Sequence, residues 1–296
     1  MSTNPTAPRI CFDRVVPDHL DPARATAHKA AVAQYLSAVK STAQRSGKKP
    51  SAHATFGEQV TAVGDLGQLH ATDPVAVARM ALINVKKWDF GHTLTCKFLD
   101  GDSFQQNKVK EKAKLWETYA NVHLEFGDDA DAQIRISFVA DPGSWSAVGQ
   151  DCLVTSYFAK GEPTMNFGWL RDDTDDQEYE RVVVHEFGHA LGCIHEHQSP
   201  TEHLKWDTAA VYKAFSGPPN SWTKAEIDQN ILEKYSPDGI SATRFDKKSI
   251  MLYQFDKSLF TNHVGTPLNY ELSKQDKQMI GEMYPQTSSS TVKKTA

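Results

Sequence analysis

The chain has 296 residues, enough to bury a full core in one large or two modest domains. With 40% hydrophobic and 23% charged residues, its composition is that of an ordinary globular protein, not a fibrous or disordered one. A net charge of -5 argues against general binding to nucleic acid or membrane surfaces, and no window nears the roughly 18 apolar residues of a membrane span.

The start, "MSTNPTAPRICFDRVVPDHLDP", has no basic stretch followed by an apolar run. No secretory signal peptide is therefore expected, and the chain reads as cytoplasmic, with a removed leader or another export route left open. Residues 22–44 are Ala-rich and predict a helix ended by "SGKKP"; residues 51–73 have the composition of a loop. Asp73 as N-cap and Pro74 at the first helical position open a further helix to about residue 87. "HTLTCKFLD" (92–100) alternates apolar and polar residues and predicts a strand.

Residues 103–125 predict one long amphipathic helix, with Val109, Ala113, Trp116, Ala120 and Val122 on a helical period. "AQIRISFV" (132–139) predicts a second strand, and "GSWSAVGQDCLVTSYF" with "PTMNFGW" two or three short ones. The acidic run "RDDTDDQEYE" (171–180) reads as a helix N-terminus rather than a cation site: Thr174 and Gln177 have capping-box spacing, and the carboxylates offset the helix dipole. Beyond Pro200 the pattern is irregular, with short helices in "KWDTAAVYKAF" and "TKAEIDQNILEKY". A last amphipathic helix, "SKQDKQMIGEMYP" (273–285), opens on a serine cap and stops at proline; the tail 286–296 reads as disordered. This order gives an α+β fold with long helices packed on one sheet. Cys11, Cys96, Cys152 and Cys193 are too widely spaced for a disulfide scaffold and read as buried thiols.

"VVVHEFGHALGCIHEHQSP" (182–200) carries the chemistry. On a helix over 174–191, His185 and His189 stand one turn apart on the same face, where two imidazoles can share a metal ion. Glu186, beside the first of them, can reach a water on that metal without binding the metal itself; this is the H-E-x-x-H pattern of zinc hydrolases. On a continuous helix His195 would lie about 15 Å further along the axis than His185. Gly192 can take the left-handed conformation that ends a helix, turning the chain back so that His195 joins the pair. A glycine and a third histidine at fixed offsets make the pattern far more specific than a bare H-E-x-x-H. His197 points differently from His195 and is expected behind the ligands or at the surface. Downstream, "KKSIMLYQF" (247–255) supplies a methionine, Met251, in the manner of a Met-turn.

With these motifs the chain resembles the metzincin metallopeptidases, and most closely the astacin-like group. "HEFGHALGCIHEH" matches that group's zinc signature, including Glu196 after the third histidine, and "SIMLY" its Met-turn, with Tyr253 two residues after Met251. "WSAVG" (145–149) and "TMNFGW" (164–169) are similar to its edge strand and to the strand before the zinc helix; "KKWDFGHTLTCKFLDG" (86–101) is similar to its opening strand. The resemblance covers 88–285 and implies a metzincin-like catalytic domain: a twisted mixed sheet with an antiparallel edge strand, two long helices including the zinc helix, and a mostly irregular or helical C-terminal half. It implies one catalytic zinc ion held by His185, His189 and His195. Glu186 is implied as general base, and Tyr253 as a resting zinc ligand or a donor to the oxyanion. Met251 is implied to pack beneath the imidazoles, Glu196 to make a buried polar contact, and the strand at 145–152 to pair with an extended substrate.

The activity implied is a zinc endopeptidase on proteins or peptides, a monomer with neither nucleic acid nor membrane as partner. A dedicated precursor-processing peptidase, or a non-catalytic zinc-stabilised binding module, are the alternatives. The pattern departs from the family at Ser199, where an arginine is usual, at Cys193, where an aromatic residue is usual, and in lacking its disulfide framework. Residues 1–87 form an N-terminal extension read as a pro-segment, an added subdomain, or packing for the back of the domain. Two faint signs favour a pro-segment: "VGD" (63–65), similar to the family's inhibitory aspartate motif, and Cys11 as a thiolate switch.

Overall fold

The computed structural model describes residues 11–16, 86–89, 91–140, 143–218, 220–234 and 244–286. The helices expected at 22–44 and, up to residue 85, at 73–87, the loop at 51–73, "VGD" and the tail from 287 lie outside the described residues. Among the described residues no helix is long and apolar enough to cross a membrane.

The alternating residues after Gly91 form strand β2 (His92–Phe98), preceded in the chain by β1 (Phe12–Arg14). Helix α1 (Ser103–Ala113) follows, opened by Asp102, whose carboxylate accepts the Gln105 N–H while the Gln105 side chain returns to the Asp102 backbone. The helix then stops, short of the length expected for 103–125. Trp116–Thr118 make a single 3-10 turn, and Val122–Phe126 form strand β3. In β3 buried and exposed residues alternate, and its backbone pairs in parallel with β2, His92 opposite Val122. Val122 fits the helical period of the residues before it, but Val122 and Leu124 together fit a period of two, and the open edge of β2 decides between the two.

Strand β4 (Ile134–Ser137) is shorter than the expected 132–139; β5 (Trp145–Ala147) and β6 (Met165–Asn166) complete the sheet. The order is β1-β5-β6-β4-β2-β3. The pairs β2–β3, β2–β4 and β4–β6 are parallel and β5 is antiparallel to β6, giving the expected mixed sheet with its antiparallel strand towards one side. What the sequence did not indicate is β1: three N-terminal residues pair in parallel with β5, with Phe12 opposite Trp145 and Arg14 opposite Ala147, and occupy the edge expected for a substrate.

The zinc-signature helix α2 (Asp176–Ala190) packs its Val182, Val183 and Phe187 into the core beside α1. Its cap is Asp175, which accepts the Glu178 N–H at 2.8 Å, instead of the expected Thr174, whose hydroxyl accepts the Arg171 N–H. A carboxylate one residue on supplies both an acceptor and a charge for the dipole. The acidic run also clasps the helices together: Asp176 binds Lys108 at 2.5 Å and the buried Lys112 at 2.7 Å. Short helices α3 (Thr208–Phe215) and α4 (Lys224–Ile227) and the final α5 (Lys274–Met283) make up the C-terminal half, α5 with Ser273 as its expected cap. All four cysteines are buried, and no disulfide joins them.

Candidate metal centre

Helix α2 ends where the sequence requires it to. Leu191 is the last residue in helical conformation and Gly192 has φ +96°. The Cys193 N–H reaches the Gly188 carbonyl at 2.9 Å and the Gly192 N–H that of His189 at 2.7 Å, the paired bonds of a left-handed glycine cap. The chain thus doubles back, and His195 returns to the face that carries His185 and His189.

The three Nε2 atoms converge. They are 3.2 Å apart for His185 and His189, 3.3 Å for His185 and His195, and 3.0 Å for His189 and His195. Each Nδ1 faces an oxygen: the Ile250 carbonyl for His185 and the Cys193 carbonyl for His189, both at 2.8 Å, and the Gln198 amide oxygen for His195 at 3.3 Å. Oxygens in these positions place the ring proton on Nδ1 and leave a lone pair on each Nε2. Burial, reinforced by the neighbouring imidazole of His189, holds His185 and His195 well below the usual histidine range, so both rings are neutral.

Three buried lone pairs facing one point repel unless a cation lies between them. Nitrogens bound at about 2.1 Å to a tetrahedral zinc stand about 3.4 Å apart, close to the spacing here, so the donor set fits the ion. The three histidines are able to hold one metal.

Glu186 is fully buried next to the triad, with the Cys11 thiol against its carboxylate. Burial, with the charge of Glu186 second, pushes that thiol well above the usual cysteine range. The Tyr253 ring lies 4.2 Å from that of His195, and its hydroxyl donates to the Cys11 carbonyl. Met251 lies under the helix: a Cβ on Gly188 would come within 2.6 Å of its sulfur. The Met251 carbonyl accepts the Glu196 N–H at 3.0 Å, tying the third histidine to the Met-turn. Glu196 itself accepts the Asp246 N–H at 2.7 Å, and burial pushes its carboxyl up to about 8. His197 is buried, not at the surface; it stacks 5.3 Å from His195 and binds the Asn230 carbonyl through Nε2, outside the triad.

Sequence reasoning missed three aromatic donors that hold the last turns of the helix. Trp116 Nε1 donates to the Val184 carbonyl, Trp88 Nε1 to that of Ala190, and the Tyr284 hydroxyl to that of Leu191, at 2.9, 2.8 and 2.6 Å. The Ala190 and Leu191 carbonyls are among those a helix end leaves unpaired, while Val184 lies one turn further inside the helix. The local patterns of the three donors read only as apolar, so no nearby signal marks them.

No protein-family model matches the chain, and no curated protein does. Solved structures do. One structure of myroilysin is 39% identical with a TM-score of 0.67, and the match covers 70% of this chain and 99% of that one. The chain belongs to the astacin-like metzincins. A second myroilysin structure is 38% identical over 68% of this astacin-like chain and 86% of that one, with a TM-score of 0.54. High choriolytic enzyme 1, a hatching enzyme zinc-protease from Oryzias latipes (medaka fish), is 15% identical over 67% and 94% of the two chains, with a TM-score of 0.46. As an astacin-like metzincin the chain is a zinc metallopeptidase, with one zinc ion as its cofactor.

Proposed function

We propose that this zinc endopeptidase holds its ion through Nε2 of His185, His189 and His195 and uses Glu186 as its general base. The observation that carries this is the convergence of three imidazole Nε2 atoms, each ring with Nδ1 facing an oxygen, beside a buried glutamate. Bound there, zinc supplies Lewis acidity, which makes a water nucleophilic at neutral pH and polarises the scissile carbonyl. Glu186 takes the proton of that water as the C–O bond forms and delivers it to the amine nitrogen as the C–N bond breaks. The Tyr253 hydroxyl donates to the carbonyl oxygen as it gains charge. The edge of β5 receives an extended protein or peptide substrate through main-chain hydrogen bonds.

Glu186→Gln tests the assignment. Turnover should fall by about a thousandfold, in the range of lost acid–base catalysis, while zinc content stays at one per chain. Undiminished turnover in that variant would refute the role of Glu186.

The same reading makes residues 1–87 a pro-segment. In support, Cys11 lies against Glu186, its carbonyl takes the Tyr253 hydroxyl, and β1 occupies the edge of β5. Sequencing the amino terminus of the active form should find it beyond Arg14. Full activity in a chain that still begins at Met1 would contradict this.

A further inference from the structure

Arg14 ends β1 with its guanidinium among three aromatic rings. Its Cζ lies 4.5 Å from the ring centre of Trp145, 5.1 Å from that of Tyr157 and 4.9 Å from that of Phe158. The rings brace one another: Trp145 and Phe158 stack at 17°, and Tyr157 meets Phe158 edge-on at 89°. Their framework belongs to the domain and not to the segment they receive. Trp145 is in β5, and the 154–158 turn is closed by the N–H groups of Tyr157 and Phe158 on the Val154 carbonyl. Behind it the Arg135 guanidinium binds the Phe158 and Ala159 carbonyls.

Ring faces carry partial negative charge, so a box of three attracts a cation and rejects a carboxylate. A flat, weakly hydrated guanidinium suits it better than an ammonium group, which holds its water more tightly. The position matters as much as the chemistry. Cys11, just before β1, lies at Glu186, and Arg14, three residues further, is in register with the β5 edge. An extended chain on that edge therefore places one side chain in the rings when another of its residues stands over the catalytic centre.

We infer that Trp145, Tyr157 and Phe158 form a specificity subsite for an arginine side chain of the substrate, about three residues from the scissile bond, and that Arg14 occupies it in cis. This rests on the endopeptidase reading above. The rings set which peptide binds and leave the chemistry to the metal centre, so the preference belongs in KM.

Two measurements test it. The first uses the active enzyme and fluorogenic octapeptides identical except for one Arg, Lys or Ala walked along the chain. At one position, about three residues from the cut, Arg should raise kcat/KM about tenfold over Ala, the scale of a desolvated cation–π contact, mainly through KM. Lys should gain less. Tyr157→Leu should bring the Arg-to-Ala ratio towards one and Tyr157→Phe should keep it, whereas a purely structural role would lower both rates alike. Equal rates for Arg and Ala at every position, or an Arg preference untouched in a folded Tyr157→Leu enzyme, overturn the inference.

The second measurement does not depend on catalysis. In the full chain Arg14→Ala vacates the rings, and N-acetylarginine methylamide should then bind by calorimetry while N-acetylalanine methylamide does not; wild type should bind neither. No selective binding to Arg14→Ala overturns the subsite. Selective binding without cleavage of any peptide counts against the endopeptidase reading and leaves the subsite standing.

Discussion

Gly192 and Gly188 sit four residues apart in one motif and serve different physical ends. Gly192 has φ +96° with open space around it, the nearest outside atom to an added Cβ being 3.8 Å away. An alanine there meets no clash but must hold a left-handed backbone. Gly192→Ala should cost about 1–2 kcal/mol of stability and weaken zinc retention by shifting His195, measured by denaturant unfolding and metal analysis. Unchanged stability would mean that the cap does not position the ligand. Gly188 lies inside the helix, where backbone freedom is no asset, and is small because the Met251 sulfur and the Trp116 ring press on it. The first glycine was legible in the sequence, since its offset from three histidines makes sense only as a chain reversal. The second was not, because the atoms that require it come from distant segments.

At the scale of elements, the Met-turn is held from beneath by α5. The Asp276 carboxylate accepts the Ser249 hydroxyl at 2.7 Å and the Ile250 and Ser273 N–H groups, both at 2.9 Å. It therefore fixes the turn whose Ile250 carbonyl orients His185 and whose Met251 carbonyl holds Glu196. Burial raises its carboxyl above the usual range, while the donors favour the charged form. Asp276→Ala would leave buried donors without an acceptor and should destabilise the fold by about 2–4 kcal/mol. A loss below about 0.5 kcal/mol, within the range of ordinary surface substitutions, would remove Asp276 from the account. Serine 273 was readable as a cap; the second task of Asp276 was not, because it serves a turn far away in sequence. The zinc helix was legible within two residues at its N-terminus, since its apolar face keeps one period throughout. The segment 103–125 was misread because its apolar residues satisfy two periods, and only the partner strand chooses.

For the whole molecule, the mixed sheet, its antiparallel β5 and the irregular C-terminal half follow from the order of elements and from the family resemblance. The N-terminal strand does not, since "FDR" carries no pattern that separates it from its surroundings, and only the exposed edge of β5 gives it a place. That placement joins the N-terminal segment to the centre of the sequence: residue 11 meets Glu186 and Tyr253, and residue 14 meets the rings of Trp145, Tyr157 and Phe158. In the proposed site three imidazoles, from two sides of a helix break, meet at one ion. A crystal of the zinc-loaded protein, with anomalous data collected at the zinc edge, measures this directly. The prediction is one strong peak per chain, about 2.1 Å from Nε2 of each of His185, His189 and His195. A peak elsewhere, or one that His195 does not touch, would contradict it.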